Sequence, residues 1–382
     1  EYFISLFQNI CQENIPSREI VISPRDKPWM TTVVKKAIKR RDKAHRKWKR
    51  LKTLQSEMAY KSARHEVNVC KFQAKLEHEE KIARKLENPA TSSKEYWHLT
   101  KLLYGNKVKC GIPSIIDGDK VYSSAESKAN LFNKHFSEKS KLPDTLPKLP
   151  EFSYATNERL NHIHVDVAET EKILKNLNVS KANGPDNISN RVLKAVSSSI
   201  APVITKLCNM SLSTGIFPDN WKDAHVTPVY KKSNKQDKNN FRPISLLSNI
   251  GKILERHVFM AIYKYCMEHN LLTWRNSGYK QFDSTINQLV LLCHRIYEAL
   301  EKGQDVCFVS LDASAAFDRV WHKGLIFKLK RIGISGLLLS WLESYISRRR
   351  QRVVLNRKMS DWTYITAGVP QPSILGQLQF LI

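Results

Sequence analysis

No stretch of the 382 residues reaches the ~18 consecutive apolar positions that a bilayer-crossing helix needs, so no transmembrane helix is expected. The start, Glu1-Tyr2, has no basic segment ahead of an apolar one, which excludes a signal peptide by pattern. Seven cysteines are scattered, and no two form a C-x-x-C pair. That argues against a zinc finger or knuckle and fits reduced thiols in an intracellular protein. Acid is what the chain is shortest of. The 36 Asp+Glu stand against 62 Lys+Arg, for a formal net charge of +26. Such an excess calls for a polyanionic partner, nucleic acid ahead of an anionic membrane. Apolar residues are not lacking. At 42% they suffice for a core and exclude a wholly disordered chain. At roughly 100–200 residues per domain the length suggests two or three structural units.

Neither Gly nor Pro occurs from Thr31 to Glu87, which reads as long helices. Within that span Lys35 to Lys52 holds eleven Lys/Arg against one acid, Asp42, and so supplies +10 of the net charge. A short helix is expected from Ser93, capped by Gly105, then a small hairpin around Asp117-Gly118 and a helix over 125–139. Leu142–Pro150, with three prolines, reads as a linker. From about 160 the pattern becomes dense. Helices are expected after Asp166, over Val192–Leu212, Ile250–Asn270, Ile286–Lys302 and Leu337–Ser347. Val226–Lys231 reads as a strand, Val306–Leu311 as a buried strand, and Arg352–Leu355 with Trp362–Thr366 as a hairpin. The chain opens on Glu and closes on the mostly apolar Leu378-Gln379-Phe380-Leu381-Ile382, the pattern of a piece cut at both ends.

The most specific segment is Val309-Ser310-Leu311-Asp312-Ala313-Ser314-Ala315-Ala316-Phe317-Asp318. A carboxylate at the end of a buried strand is held rigidly, which suits a hard divalent cation with open positions for phosphates. Two such cations can activate a hydroxyl and stabilise a leaving oxygen in phosphoryl transfer. Taken alone, Asp312 could equally cap the following helix.

Neighbouring blocks decide between these readings. Ser180-Lys181-Ala182-Asn183-Gly184-Pro185-Asp186-Asn187-Ile188 is followed by Pro228-Val229-Tyr230-Lys231-Lys232 and by Asn240-Phe241-Arg242-Pro243-Ile244-Ser245-Leu246-Leu247. Asn276-Ser277-Gly278-Tyr279 precedes Asp283-Ser284-Thr285-Ile286-Asn287-Gln288-Leu289, and Asp312–Asp318 runs on into Arg319-Val320-Trp321-His322. Gly368-Val369-Pro370-Gln371 comes last. In this order the blocks resemble the reverse transcriptases of non-long-terminal-repeat retrotransposons, the jockey-like group in particular. The resemblance covers about 160–382 well and 27–136 more loosely.

The resemblance implies an α+β fold: a helical basic N-terminal region, then fingers and an incomplete palm with an antiparallel sheet backed by helices. It implies residues 1–30 as the tail of an upstream region, 31–141 as a basic connector, 142–160 as a linker and 161–382 as the polymerase domain. It assigns Asp312 to catalysis and metal binding, with the carbonyl of Ala313 as a further ligand. Arg242 and Lys231 hold the triphosphate of the incoming nucleotide, Phe317 excludes a 2′-hydroxyl, and Gln371 packs by the template base. Asp318 is expected to cap or to pair with Arg319. Lys35, Lys36, Lys39, Arg40 and Arg41, with Arg348, Arg349 and Arg350, are the expected nucleic-acid contacts. The implied activity is RNA-directed DNA synthesis by two Mg²⁺ ions on element RNA, a DNA primer at the target and dNTPs. The implied setting is a cytoplasmic ribonucleoprotein and the nucleus, with no membrane.

The sequence departs from the family at several places. Pro372 stands where Gly is expected, Gln377 replaces a proline, Gln379 replaces an apolar residue, and Phe282 sits where Gly is usual. The family's Ala-Asp-Asp element, which completes the metal site, is expected beyond Ile382. Those departures keep open a second reading, an inactive retroelement remnant that only binds RNA. A maturase or retron-type enzyme fits the Phe241–Leu247 wording less well.

Overall fold

The computed structural model describes residues 2–16, 27–103, 111–143 and 148–382. The chain forms two compact units, one of residues 1–11 with 112–382 and one of residues 12–111. The expected Gly105 cap and part of the Leu142–Pro150 linker lie outside the described residues.

The smaller unit is helical. Helix α1 (Tyr2–Asn14) begins in the larger unit; α2 (Thr32–Leu51), α3 (Leu54–Glu87) and α4 (Ser93–Leu103) follow. Thr31 starts α2 by accepting a hydrogen bond from the Val34 N–H, and Lys52, at φ 50°, ends it. Thr53 then caps α3 through the Ser56 N–H, so two caps in succession turn the chain back on itself. The expected long helices are thus present. Their seam is thin: Val34 and Ala37 are buried on α2, and Val67, Ala74 and Ile82 on α3. His45, Trp48 and Tyr60 stack beside it, the last two 5.4 Å apart and nearly parallel.

In the larger unit a hairpin of β1 (Ile115–Asp117) and β2 (Lys120–Tyr122) leads to α5 (Ala125–Lys139). Helices α6 (Val167–Lys175), α7 (Asn190–Ala195) and α8 (Ser197–Thr214) come next. The expected Val192–Leu212 helix is two helices, because Val196 leaves helical geometry at φ −106° and ψ 22°. Then come β3 (Ala224–Tyr230), β4 (Phe241–Leu246), α9 (Asn249–Glu268) and α10 (Thr285–Glu301). Helices α11 (His322–Arg331) and α12 (Gly336–Ile346), strands β5 (Arg349–Leu355), β6 (Lys358–Met359) and β7 (Thr363–Ile365), and α13 (Ile374–Leu381) complete it.

The fold is α+β, with one difference from the expected sheet. β3 pairs antiparallel with β4 but parallel with β5, so the sheet is mixed. β5 in turn pairs antiparallel with β7, the expected hairpin but through Arg349–Gln351 rather than Arg352–Leu355, and its end at Val354 and Leu355 pairs with β6. Residues on the two faces alternate. Ala224, Val226, Phe241 and Val353 point inward and join Phe132 and Phe136 of α5 in one apolar cluster. Residues 115–139, grouped on sequence with the connector, therefore pack on this sheet.

A second, larger core joins α6–α9 to α11–α13. Phe217 meets Trp341 and Tyr345 edge-on at 5.4 and 5.0 Å, and the Trp341 indole donates to Ser211 Oγ at 2.9 Å. Two sequence blocks meet here. A Cβ at Gly184 would lie 2.4 Å from the Leu247 carbonyl carbon, so only glycine allows that approach. Two residues on, the buried Asp186 accepts from Ser248 Oγ.

The apolar run Val306–Leu311 is not a buried strand. It has no ladder partner among the described residues, and Phe308, Val309 and Leu311 are 65, 71 and 92% exposed. A strand exists only through a neighbour's backbone, and β4, β3, β5, β6 and β7 pair with one another without reaching it. Asp312 consequently does not stand at the end of a strand of this sheet. Helix α10 shares its condition: it forms as expected, yet buries no residue.

Candidate nucleotide site

The segment after Asp312 is held by backbone. A 3-10 turn spans Phe317–Arg319, and Ala315, at φ 54°, leads into it. Val369 N–H donates to Phe317 O at 2.9 Å, and Gly368 N–H donates to Val320 O at 2.9 Å. These two bonds dock the Gly368–Gln371 block against the Asp312–Asp318 block. Gly368 has φ 87°, and a Cβ there would stand 2.6 Å from Asp318 O. Only glycine meets both conditions. The Phe317 ring stacks on Phe380 at 4.8 Å and meets Tyr279 edge-on at 6.0 Å.

Gln371 is the hinge of the arrangement. Its Nε2 donates to Asp318 Oδ1 at 3.1 Å, while its carbonyl accepts from the Ser245 N–H of β4 at 2.5 Å. The bond from Gln371 to Pro372 is cis, and Ser373 caps α13 immediately after. The α13 N-terminus is fixed by Glu255 of α9, whose buried carboxylate accepts from Ile374 N–H at 2.8 Å. A carboxylate suits that end of a helix. Burial pushes its pKa up, and Arg349 opposes the shift.

Asp318 is therefore neither a cap nor the partner of Arg319. It is half-buried and points at Gln371. Burial raises its pKa, and the nearby Lys139 ammonium pulls the other way. Lys139, at the end of α5, has its own pKa lowered by burial, with Asp318 opposing and Lys231 adding to the shift. A small cleft of about 50 Å³ is lined here by Asp318, Gln371, Ser245, Pro243, Gly368 and Arg349. Sequence reading had no route to Lys139, which lies far upstream in a helix of ordinary composition. The sheet alone brings it to Asp318.

The other expected residues are dispersed. Asp312 and Ala313 are exposed, and among the described residues no group of three metal-ligating side chains exists. One carboxylate and one carbonyl do not fill the coordination sphere of Mg²⁺, which is near-octahedral, so these residues alone do not make its site. Lys231 is exposed at the end of β3. Arg242 is exposed too, but its place on β4 lies on the face opposite Phe241, Pro243 and Ser245, and so away from Gln371.

The basic clusters divide similarly. Lys35, Lys36, Lys39 and Arg40 are exposed, Arg40 contacts Glu66 at 2.5 Å, and Arg41 holds Asp42. Arg348 is exposed. Arg349 is buried and donates to Tyr345 O at 2.9 Å, while Arg350 grips Asp223 with two bonds of 2.6 and 2.9 Å.

The two interlocked blocks fall within residues 230–382, which match the family described as reverse transcriptase (RNA-dependent DNA polymerase). The likeness of this segment is to the reverse transcriptase family. The chain is 28% identical over 302 residues to the probable RNA-directed DNA polymerase from transposon BS of Drosophila melanogaster, covering 75% of this chain and 32% of that one. It is 30% identical over 213 residues to the RNA-directed DNA polymerase from mobile element jockey of the same fly, covering 56% of this chain and 23% of that one. The probable polymerase from transposon X-element is 27% identical over 308 residues, 78% of this chain and 33% of that one. The chain thus spans about a third or less of each of these relatives. No helix among the described residues is long and apolar enough to cross a membrane.

Proposed function

We propose that this chain is part of an RNA-directed DNA polymerase of a non-long-terminal-repeat retrotransposon, joining dNTPs to a primer 3′-hydroxyl on element RNA. The observation that carries the reading is the docking of the reverse transcriptase segment's two blocks, Asp312–Asp318 against Gly368–Gln371, through paired backbone bonds. Asp312 is the proposed metal ligand, with the Ala313 carbonyl beside it. Mg²⁺ would neutralise developing charge on the transferred phosphoryl group, and it requires carboxylates that the described residues do not bring beside Asp312. Phe317, backed by Phe380, is the proposed sugar gate, and Gln371, fixed by Asp318 and β4, the wall of the base pocket. For the triphosphate we propose Lys231 together with Lys139, since Lys139 lies near both Asp318 and Lys231. The strand position of Arg242 gives no support to the same role.

The polymerase names of the three relatives favour this reading over an inactive remnant. Target DNA, a ribonucleoprotein and the nucleus follow from the proposal. The domain scheme follows in altered form, with the basic connector ending near residue 111, because residues 115–139 pack on the sheet, and with 161–382 as fingers and partial palm. The test is RNA-templated primer extension with Mg²⁺ and dNTPs, by residues 1–382 and by any longer product containing them. Residues 1–382 alone should extend nothing processively. Where extension is seen, Asp312→Ala should abolish it, and Phe317→Ala should admit ribonucleotides. Extension that survives Asp312→Ala would overturn the assignment.

A further inference from the structure

The mixed sheet has two faces, and α5 covers only one. On the other, strand alternation places His225 of β3, Arg350 and Arg352 of β5, and Tyr364 of β7. His225 is the cross-strand partner of Arg352, and Arg350 that of Tyr364, so the four form one contiguous patch. Trp362, just before β7, lies over it. The guanidinium carbons of Arg350 and Arg352 stand 4.9 and 4.5 Å from the Trp362 ring centre, and the His225 ring lies 6.0 Å away, tilted by 29°.

Two of these residues are not used up by the fold. Tyr364 is 66% exposed, and no other ring or cation lies over its ring among the described residues. Among the described residues Arg352 has no carboxylate partner: its Nε donates to His225 Nε2 at 2.9 Å, which requires a neutral imidazole. Burial and Arg352 itself lower the His225 pKa to about 4, so the ring stays an acceptor at neutral pH. A purely structural cation–π ladder would need neither an open tyrosine nor an unneutralised arginine. Arg350 is held by Asp223, so Arg242, which faces this same side from β4, adds the second positive charge beside Arg352.

We propose that this outer sheet face is a stacking platform for single-stranded nucleic acid, with Tyr364 and Trp362 receiving bases and Arg352 and Arg242 meeting phosphates. Aromatic rings set among arginines on an open sheet match what unpaired strands offer, a flat π face at each base and a charge at each phosphate. A duplex hides its bases and would meet only the arginines. The proposal does not rest on the polymerase reading, because stacking needs neither metal nor nucleotide.

The test is fluorescence anisotropy with the full 382-residue chain in EDTA, without nucleotides. The probes are short labelled oligo(U), oligo(dT), an abasic oligomer of equal charge and an RNA duplex. Tyr364→Ala, at an exposed position, should weaken oligo(U), oligo(dT) or both by about 5- to 150-fold and leave the abasic and duplex probes unchanged. Trp362→Leu should act in the same direction. Loss on oligo(U) alone would assign the platform to RNA, and loss on both to any single strand. Unchanged affinity for both oligomers in Tyr364→Ala would overturn the proposal, as would an equal loss on the abasic probe.

Discussion

Gln379 shows how much one residue can cost. It is 4% exposed in α13, and neither atom of its amide has a hydrogen-bond partner among the described residues. A buried unpaired polar group costs about 1–3 kcal/mol, so Gln379→Leu should stabilise the chain by that order in urea denaturation. Phe282 is a second case. Its side chain is fully exposed at φ 63°, a region that disfavours residues with a Cβ. Phe282→Gly should gain about 1–2 kcal/mol, which the same measurement reads. Both positions stood out in the sequence as departures from the family, but the sign and size of each effect come from burial and backbone angle. The reverse holds at Gly368, where a Cβ would strike Asp318 O at 2.6 Å. Gly368→Ala should cost about 2–4 kcal/mol and loosen the hold on Phe317 and Gln371.

Among the elements, most helices were legible, though α1, α11 and α13 were not; of the strands, β4 was not legible and Val306–Leu311 did not form. The spacing of apolar residues found α9 and α10 equally well, because a helix satisfies its own backbone and periodicity reports only which face is apolar. Whether that face is covered is a separate matter. α9 buries twelve residues and α10 none, though both read the same in sequence. Hydrogen exchange should therefore protect the centre of α9 strongly and leave Thr285–Glu301 exchanging through local opening. Equal protection of the two helices would contradict the exposure of α10. Val306–Leu311 failed as a strand for the same reason carried further. An apolar run states a preference for burial, but a strand needs a partner's N–H and C=O groups as well, and β3 and β5 supply theirs to each other.

For the whole molecule, charge and pH are the accessible variables. His135 is buried on α5, and burial with Lys139 and Lys238 lowers its pKa to about 4 from an ordinary 6.5. Between those values the unfolded chain binds a proton that the folded one refuses. The stability His135 contributes is thus complete above pH 6.5 and is lost as pH falls toward 4. Asp186, Glu255 and Asp318, raised by burial, run the other way, so the clean measurement is a difference. The stability of the parent relative to His135→Leu should fall between pH 6.5 and 4, and a flat difference would show that His135 titrates normally.

The sequence by itself determined the cationic character, most of the helices, the hairpins β1–β2 and β5–β7, and the family that residues 230–382 match. These depend on composition, on local periodicity and on the order of short blocks, all of which are written along the chain. Only the tertiary structure decided which residues meet. It set Lys139 beside Asp318, tied Asp318 to Gln371 rather than Arg319, turned Arg242 to the far face of β4, and buried Arg349 while leaving Arg348 exposed. The physical reason is that the faces of a sheet alternate residue by residue, and its neighbours are recruited from distant parts of the chain. A role assigned by position in a motif therefore says what a side chain can do, and the packing of β3, β4 and β5 decides what it touches.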